Sequence, residues 1–269
     1  MRSTLRAESG IREVSDDQRA DPLFIQSVAR ALQVLSAFHH ETGPLSLSEI
    51  ASRAGVDRSA AQRIVHTLRA TGHLRRAPGG NGFLPGIRIL DHTLDFLRLD
   101  PLTRRATPVL LELRRNVQER VDLSLFDDLR VVYAARMQSK RETFYATLVG
   151  HSVPTFCSSG GLAILARLPD DRVRDIIVRS DLRGFTPRTV TDPDAIMDEV
   201  RKIRQAGYSV AIEQILTGEI ALGAAVTGPD GAPVAAIHVA GSLSEWTPDD
   251  FVQRFAPLAT EAARAISLQ

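Results

Sequence analysis

From about residue 27 onward the chain alternates apolar and polar side chains, and the period of that alternation changes from stretch to stretch. Val28, Ala31, Leu32, Leu35 and Phe38 follow the i, i+3, i+4 rule behind Ser27, which predicts a capped amphipathic helix. Gly43 and Pro44 end the connection that follows. Ser46-Leu47-Ser48-Glu49 has the spacing of a capping box, and Leu47, Ile50, Ala51 and Ala54 give the short helix behind it an apolar side as far as Gly55. Asp57 caps a third helix. At about 100° per residue, Ala61, Ile64, Val65 and Leu68 gather on one side of it, with Arg58, Ser59, Gln62, Arg63, His66 and Arg69 on the other. Gly72 ends it in the left-handed conformation that glycine tolerates best. His73-Leu74-Arg75-Arg76, a Pro/Gly-rich tip over residues 77–82 and the returning Phe83-Leu84 then predict a two-stranded ribbon. Three helices and a ribbon make a winged helix-turn-helix over residues 23–86. A helical connector over 87–101 follows, closed by Pro101.

The remainder, 102–269, mixes the two periods. A helix from about Leu102 to Val117 leads to a hairpin of Val121–Phe126 and Leu129–Ala135 around Asp127-Asp128, and Thr143–Val149 is another strand candidate. Ser158-Ser159-Gly160-Gly161 opens a helix through Leu168, and Asp170–Arg179 predicts another. Asp192 caps a helix that runs to Ala206 and stops at Gly207. Tyr208–Glu213, Ile220–Thr227 and Val234–Ala240 read as strands, the last two joined by the turn Gly228-Pro229-Asp230-Gly231, and a final helix follows Thr247. Irregular alternation with tight hairpins predicts an α+β domain with an antiparallel sheet rather than a doubly wound parallel one.

Composition narrows the class. The 269 residues are 43% hydrophobic and 24% charged, and no apolar run approaches the length of about 18 residues that a membrane helix needs. Residues 1–22 are charged and poor in large apolar groups. They read as a disordered arm without the apolar core of a signal peptide, and the expected location is the cytoplasm. Cys157 is the single cysteine, so no internal disulfide is possible. Net charge is +1, but residues 23–90 set eight arginines against Glu41, Glu49 and Asp57, whereas the flanking regions are mildly acidic. A compact basic segment beside an acidic remainder is the footprint of a nucleic-acid-binding module.

The chemistry follows the same division. A helix that reads DNA needs short or hydrogen-bonding side chains near its N-terminus and arginines able to grip guanine or phosphate. Arg58, Ser59, Gln62, Arg63 and His66 supply that face, and the amides from Asp57 to Ala60 add donors for phosphate. Such a face also occurs as plain solvated surface; the capping box, the turn and the ribbon in order favour double-stranded operator DNA as the partner. A small-molecule sensor or adaptor acting through protein partners stays as the rival class. Catalysis finds no support. Cys157 stands near His151 in sequence but nothing marks it as a nucleophile, Ser158-Ser159-Gly160 lacks the Gly-x-Ser-x-Gly elbow, and no phosphate-binding or dinucleotide fingerprint is present. Neighbouring His39, His40 and Glu41 diverge on a helix and make no metal site, so no cofactor is expected.

Ser27–Phe38 (SVARALQVLSAF), Leu45–Ala54 (LSLSEIASRA) and Gly55–Arg76 (GVDRSAAQRIVHTLRATGHLRR) resemble the winged-helix domain of the isocitrate-lyase-regulator (IclR-type) family of bacterial transcription factors. Val153–Leu168 (VPTFCSSGGLAILARL), Asp192–Tyr208, Gly218–Val226 and Val234–Gly241 resemble its second half in order. The resemblance implies a GAF-like effector domain over 102–269, a linker helix that dimerises, and a homodimer or dimer of dimers on the operator. For DNA it points to Ser46, Arg58, Ser59, Ala60, Gln62, Arg63, His66, Arg75 and Arg76, with Ala60 and Gln62 where relatives more often carry threonine and histidine. Pro85 replaces a usual leucine of the returning wing strand, so a shorter wing is expected. For the effector the resemblance points to Cys157, Ser158, Ser159, Gly160, Ala211, Glu219, Ala221, His238 and Ala240. There the amides of 159–161 would meet an anion, and a charged His238 would add a bond to a carboxylate. The opening FIQSVARALQVLSAF is close to the subgroup that controls aromatic-acid catabolism. An aromatic or dicarboxylic acid is the implied effector, with Arg136 and Arg141 available to pair with it.

Overall fold

The computed structural model describes residues 14–39, 41–138 and 149–267. Arg141, His40 and the strand expected over Thr143–Val149 lie outside them, Val149 excepted, as does most of the N-terminal arm. The chain divides into two compact units, the second beginning at Leu97.

In the first unit α1 (Asp16–Ala20) is a single turn closed by a capping box at Ser15, inside the stretch expected to lack structure. Capping satisfies orphan amides locally and needs no core. Helix α2 (Gln26–Ser36) is capped at Ile25, without a side-chain bond, so Ser27 is a first-turn residue and not the expected cap. Its buried contribution is Val34, continued by Ala37 and Phe38, while Val28 and Leu32 point outward at 53% and 49% exposure. Helix α3 (Leu47–Ala54) has the Ser46–Glu49 capping box, with Gly55 left-handed at φ +62° behind it. Helix α4 (Arg58–Ala70) is capped by Asp57 and buries Ala61 and Val65. These helices close on Ile50, Leu74 and Phe83. The ribbon pairs β1 (Leu74–Arg76) with β2 (Phe83–Pro85), Leu74 opposite Pro85. Leu45 forms an isolated antiparallel bridge to β2 through two backbone bonds to Phe83 at 3.0 and 2.8 Å, a pairing that the sequence pattern does not reveal. Helix α5 (Arg88–Leu99) follows.

The second unit starts from α6 (Pro101–Val117), capped by Asp100. Its sheet has six antiparallel strands in the order β5-β4-β3-β8-β7-β6. They are β3 (Arg120–Asp127), β4 (Arg130–Met137), β5 (Ser152–Pro154), β6 (Ser209–Ile212), β7 (Glu219–Thr227) and β8 (Pro233–Ser242). The period of two divides the faces. Val121, Leu123, Ile220, Leu222, Ala224, Ala235, Ile237 and Val239 pack with α6 and with α10 (Pro248–Ile266), where Phe251 and Phe255 are fully buried. The intervening residues face α7 (Ser159–Leu165), which packs with α8 (Asp170–Arg179) and α9 (Pro193–Ala206) in a second cluster. Helix α7 lies against the sheet at two glycines: a Cβ on Gly160 would overlap the His238 ring, and one on Gly223 the Ser159 carbonyl. This is the α+β, antiparallel arrangement expected. Among the described residues no helix is long and apolar enough to cross a membrane, and no group of three or more His, Cys, Asp or Glu side chains could hold a metal ion. Glu41 instead pairs with Arg53 at 2.8 Å.

Candidate functional site

The first unit presents a cationic face. Arg58, Ser59, Gln62, Arg63, His66 and Arg69 are exposed along α4, and Ala60 is half-buried at its first turn. The Asp57 carboxylate accepts the Ala60 amide at 2.8 Å, so one amide of that turn is already taken. Arg58 does not extend freely: Nη1 donates to Ser48 Oγ at 2.7 Å, which sets its guanidinium between α3 and α4. Ser46 is exposed and bound into its capping box, where its hydrogen bonds hold the Glu49 carboxyl below the usual range. On the ribbon, Arg75 and Arg76 are exposed, and the Arg76 guanidinium lies 4.4 Å from the Phe83 ring centre. Such stacking fixes a long side chain that would otherwise be loose.

The second unit holds a pocket with about 590 Å³ of empty space, including its open mouth. Its lining includes seven residues anticipated from sequence: Arg136, Ser158, Ser159, Ala211, Glu219, Ala221 and His238. Three others are placed differently. Cys157 turns into the apolar cluster of α7 to α9, where burial pushes its thiol far up, so it is a neutral core residue without nucleophilic character. Gly160 lies beneath His238 as a contact that only a missing side chain permits. Ala240 shares the His238 face but is sandwiched between Arg120 and Ala221 in the ladder, outside the lining.

His238 needs a second correction. It is 2% exposed, with Nε2 2.7 Å from Ser124 Oγ and Nδ1 3.0 Å from Ser159 Oγ. Burial, with Arg120 and Arg136 adding to it and Asp122 opposing, lowers its pKa to about 4. It is therefore neutral near pH 7 with both nitrogens engaged, and it brings no charge to a ligand. The anion cradle expected at 159–161 is also partly spent, since Ser158 Oγ takes the Gly161 amide at 3.2 Å.

The charge in the pocket comes from residues on β3, β4 and β7. Asp122, 1% exposed, accepts Arg136 Nε and Nη2 at 2.6 and 3.0 Å and Arg120 Nε at 3.0 Å. Arg120 Nη2 reaches Glu219 Oε2 at 2.8 Å. Burial works against the Arg120 charge, but Glu219 and Asp122 outweigh it and raise the pKa, so the guanidinium stays protonated. Tyr133 packs against His238 with the rings tilted by 51° and centroids 5.3 Å apart, and carries the Arg136 guanidinium 5.3 Å from its ring centre; burial keeps its phenol protonated. His151, Val153, Gln214, Ile215 and Leu216 complete the wall. Of these charges, sequence reasoning named Arg136 and Glu219 and passed over Arg120 and Asp122. Their signal was present: Arg120 and Asp122 alternate with apolar Val121 and Leu123, which sets two charges on one face of a strand.

Comparison with known proteins agrees with both units. Residues 27–78 match the IclR helix-turn-helix domain, and residues 96–268 match the C-terminal domain of bacterial IclR transcriptional regulators. The chain is 28% identical to the Pca regulon regulatory protein of Pseudomonas putida over 250 residues, which covers 93% of this chain and 85% of that one. It is 34% identical to the HTH-type transcriptional regulator Rv1719 of Mycobacterium tuberculosis over 206 residues, covering 76% and 78%. The crystal structure of an IclR homologue from Microbacterium hydrocarbonoxydans, complexed with 4-hydroxybenzoate, superposes with a TM-score of 0.74 at 24% identity over 90% of this chain and 98% of that one. With its DNA-binding helix-turn-helix and its effector-type second domain, the chain belongs to the IclR family of bacterial transcriptional regulators.

Proposed function

We propose that this regulator controls a catabolic operon in response to a small organic acid held in the pocket of its second unit. The observation that carries the reading is the convergence of Arg120, Tyr133, Ser159 and His238 with the apolar Ala211, Ala221, Ile215 and Leu216 around one cavity. A few placed polar groups within an apolar wall are what a small-molecule site requires. An aromatic body suits the Tyr133 ring and the alanine floor. On the operator, Arg58, Ser59, Gln62, Arg63 and His66 read base edges from α4, while Ser46, the Ala60 turn, Arg75 and Arg76 grip phosphate. Two rows of exposed apolar side chains, Ile25, Val28 and Leu32 on or beside α2 and Ile87, Leu90 and Leu94 on or beside α5, are covered by a second copy of the chain. An adaptor that works through protein partners alone has no observation in its favour.

The test is selection of bound fragments from the organism's own genome, followed by titration of the best fragment over a range of salt. Contacts to phosphate release counterions, so log K should fall with log salt by about 0.9 for each contact. A flat salt dependence, or no fragment enriched over random duplex, would overturn the reading.

A further inference from the structure

The charged groups described around the pocket balance. Arg120 and Arg136 face Asp122 and Glu219, and His238 adds no charge because it is neutral. The two carboxylates are not equivalent. Asp122 is 1% exposed and binds both arginines, so it is anchored from two sides in the buried part of the network. Glu219 stands at the open end of the network, its side chain 19% exposed, and holds Arg120 by a single ion pair. It is the first residue of β7, directly after the loop whose Gln214, Ile215 and Leu216 wall the pocket. A guanidinium binds carboxylates through a fixed fork of donors, so a ligand carboxylate can take the place of Glu219 on Arg120.

The neutral groups indicate what the rest of the ligand meets. Ser124 is fully buried and its hydroxyl has one polar neighbour among the described residues, His238 Nε2. The Ser124 proton therefore goes to Nε2, the ring proton sits on Nδ1, and Nδ1–H donates to Ser159 Oγ. That leaves the Ser159 hydroxyl hydrogen to point at a ligand oxygen. A second carboxylate placed there would meet, among the described lining residues, no cation beyond Arg120 except Arg136, which Asp122 already holds through two hydrogen bonds, and would bear a large desolvation cost.

We propose that the pocket takes a ligand with a single carboxylate, that this carboxylate competes with Glu219 for Arg120, and that the far end of the ligand carries at most a neutral oxygen toward Ser159. Glu219 is then an internal stand-in for the ligand and lowers its affinity. This rests on the pocket being the effector site, and the test separates the two claims. Calorimetry at pH 7.5 and fixed ionic strength compares 4-hydroxybenzoate, its neutral analogue 4-hydroxybenzamide and the dianion terephthalate on the full chain and on Glu219→Gln. The intact protein should bind 4-hydroxybenzoate at least tenfold more tightly than terephthalate. Glu219→Gln should bind 4-hydroxybenzoate at least fivefold more tightly than the intact protein does, with 4-hydroxybenzamide unchanged within twofold. Glu219→Asp, which withdraws the carboxylate by one methylene, gives a change of the same sign should the glutamine variant fail to fold. Terephthalate bound as well as 4-hydroxybenzoate, or acid affinity unchanged or weakened in both variants, would overturn the proposal and leave the pocket reading in place. No binding of any probe to any of the proteins would overturn the pocket reading and the proposal with it.

Discussion

His238 should make the second unit sensitive to acid, and the effect can be worked from its surroundings. In the folded chain its pKa is lowered from 6.5 to about 4, because the ring is buried against Tyr133 and Gly160 with both nitrogens held by serines. Above pH 6.5 the ring is neutral whether the chain is folded or unfolded, and it adds no pH dependence. Between pH 6.5 and pH 4 the unfolded chain takes up a proton that the folded chain refuses, so stability is lost as pH falls through this window. Refusing one proton costs about 1.36 kcal/mol for each pH unit crossed, so the loss amounts to about 3 kcal/mol by pH 4. Carboxylates titrate in the same range, so the quantity to measure is a difference. Urea unfolding of the full chain from pH 4 to pH 8, followed through Trp246, should show the intact protein losing about 3 kcal/mol more than His238→Gln over the window. Trp246 packs on Phe251 and Phe255 and reports on the second unit. Parallel pH profiles for the two proteins, or a His238 ring resonance that titrates near pH 6.5, would refute the reasoning.

Other perturbations test other parts of the molecule. Gly160→Ala inserts a methyl into the His238 ring, and overpacking of this kind should cost about 1–3 kcal/mol, read as a lower urea midpoint that His238→Ala partly restores. Asp122→Ala takes a buried carboxylate away from Arg136 and leaves Arg120 with Glu219 alone, with an expected loss of about 3–5 kcal/mol; a midpoint shift under about 1 kcal/mol would mean that water already screens the network. Arg63→Ala should weaken binding to the selected operator by about 1–3 kcal/mol and binding to random duplex much less, whereas equal losses would make Arg63 a phosphate contact alone. A chain truncated to begin at Leu97 should keep a cooperative thermal transition and the near-ultraviolet dichroism of Trp246, since Leu97, Leu102 and the α6 face pack within that unit's own core; a molten product would refute the division.

Much of this molecule could be read in its sequence, for reasons that are local. Asp57, Asp192 and Thr247 each accept an amide of the helix that they precede, and such caps are written in residue type. Strands β6 to β8 announced themselves by apolar runs between turn residues. What escaped depends on partners distant in the chain. Ser27 has the right chemistry for a cap, yet α2 already makes backbone bonds to Ile25. Val28 and Leu32 have the right period for a core face, but periodicity says which residues are apolar and not what covers them. In the pocket, the small residues at 158–160 pointed to a loop of which Ser158 and Ser159 line the cavity, while the state of His238 was set by Ser124 and by burial. The ion pairs among Asp122, Arg120, Arg136 and Glu219 join three strands, and only the sheet register brings them together.

The central claim is that occupancy of this pocket changes the grip on DNA, and a ligand can do so only if it binds the two states of the protein unequally. Ala211 and Ala221 face each other across β6 and β7 and both line the cavity, so Ala221→Phe fills it without altering α4 or the ribbon. The decisive measurement is a mobility-shift titration of the selected operator, with and without 4-hydroxybenzoate, on the intact protein and on Ala221→Phe. Equal midpoints are expected for the two proteins without the acid, a shifted midpoint for the intact protein with it, and no shift for the variant. An equal shift in both proteins would place the ligand elsewhere and contradict the claim.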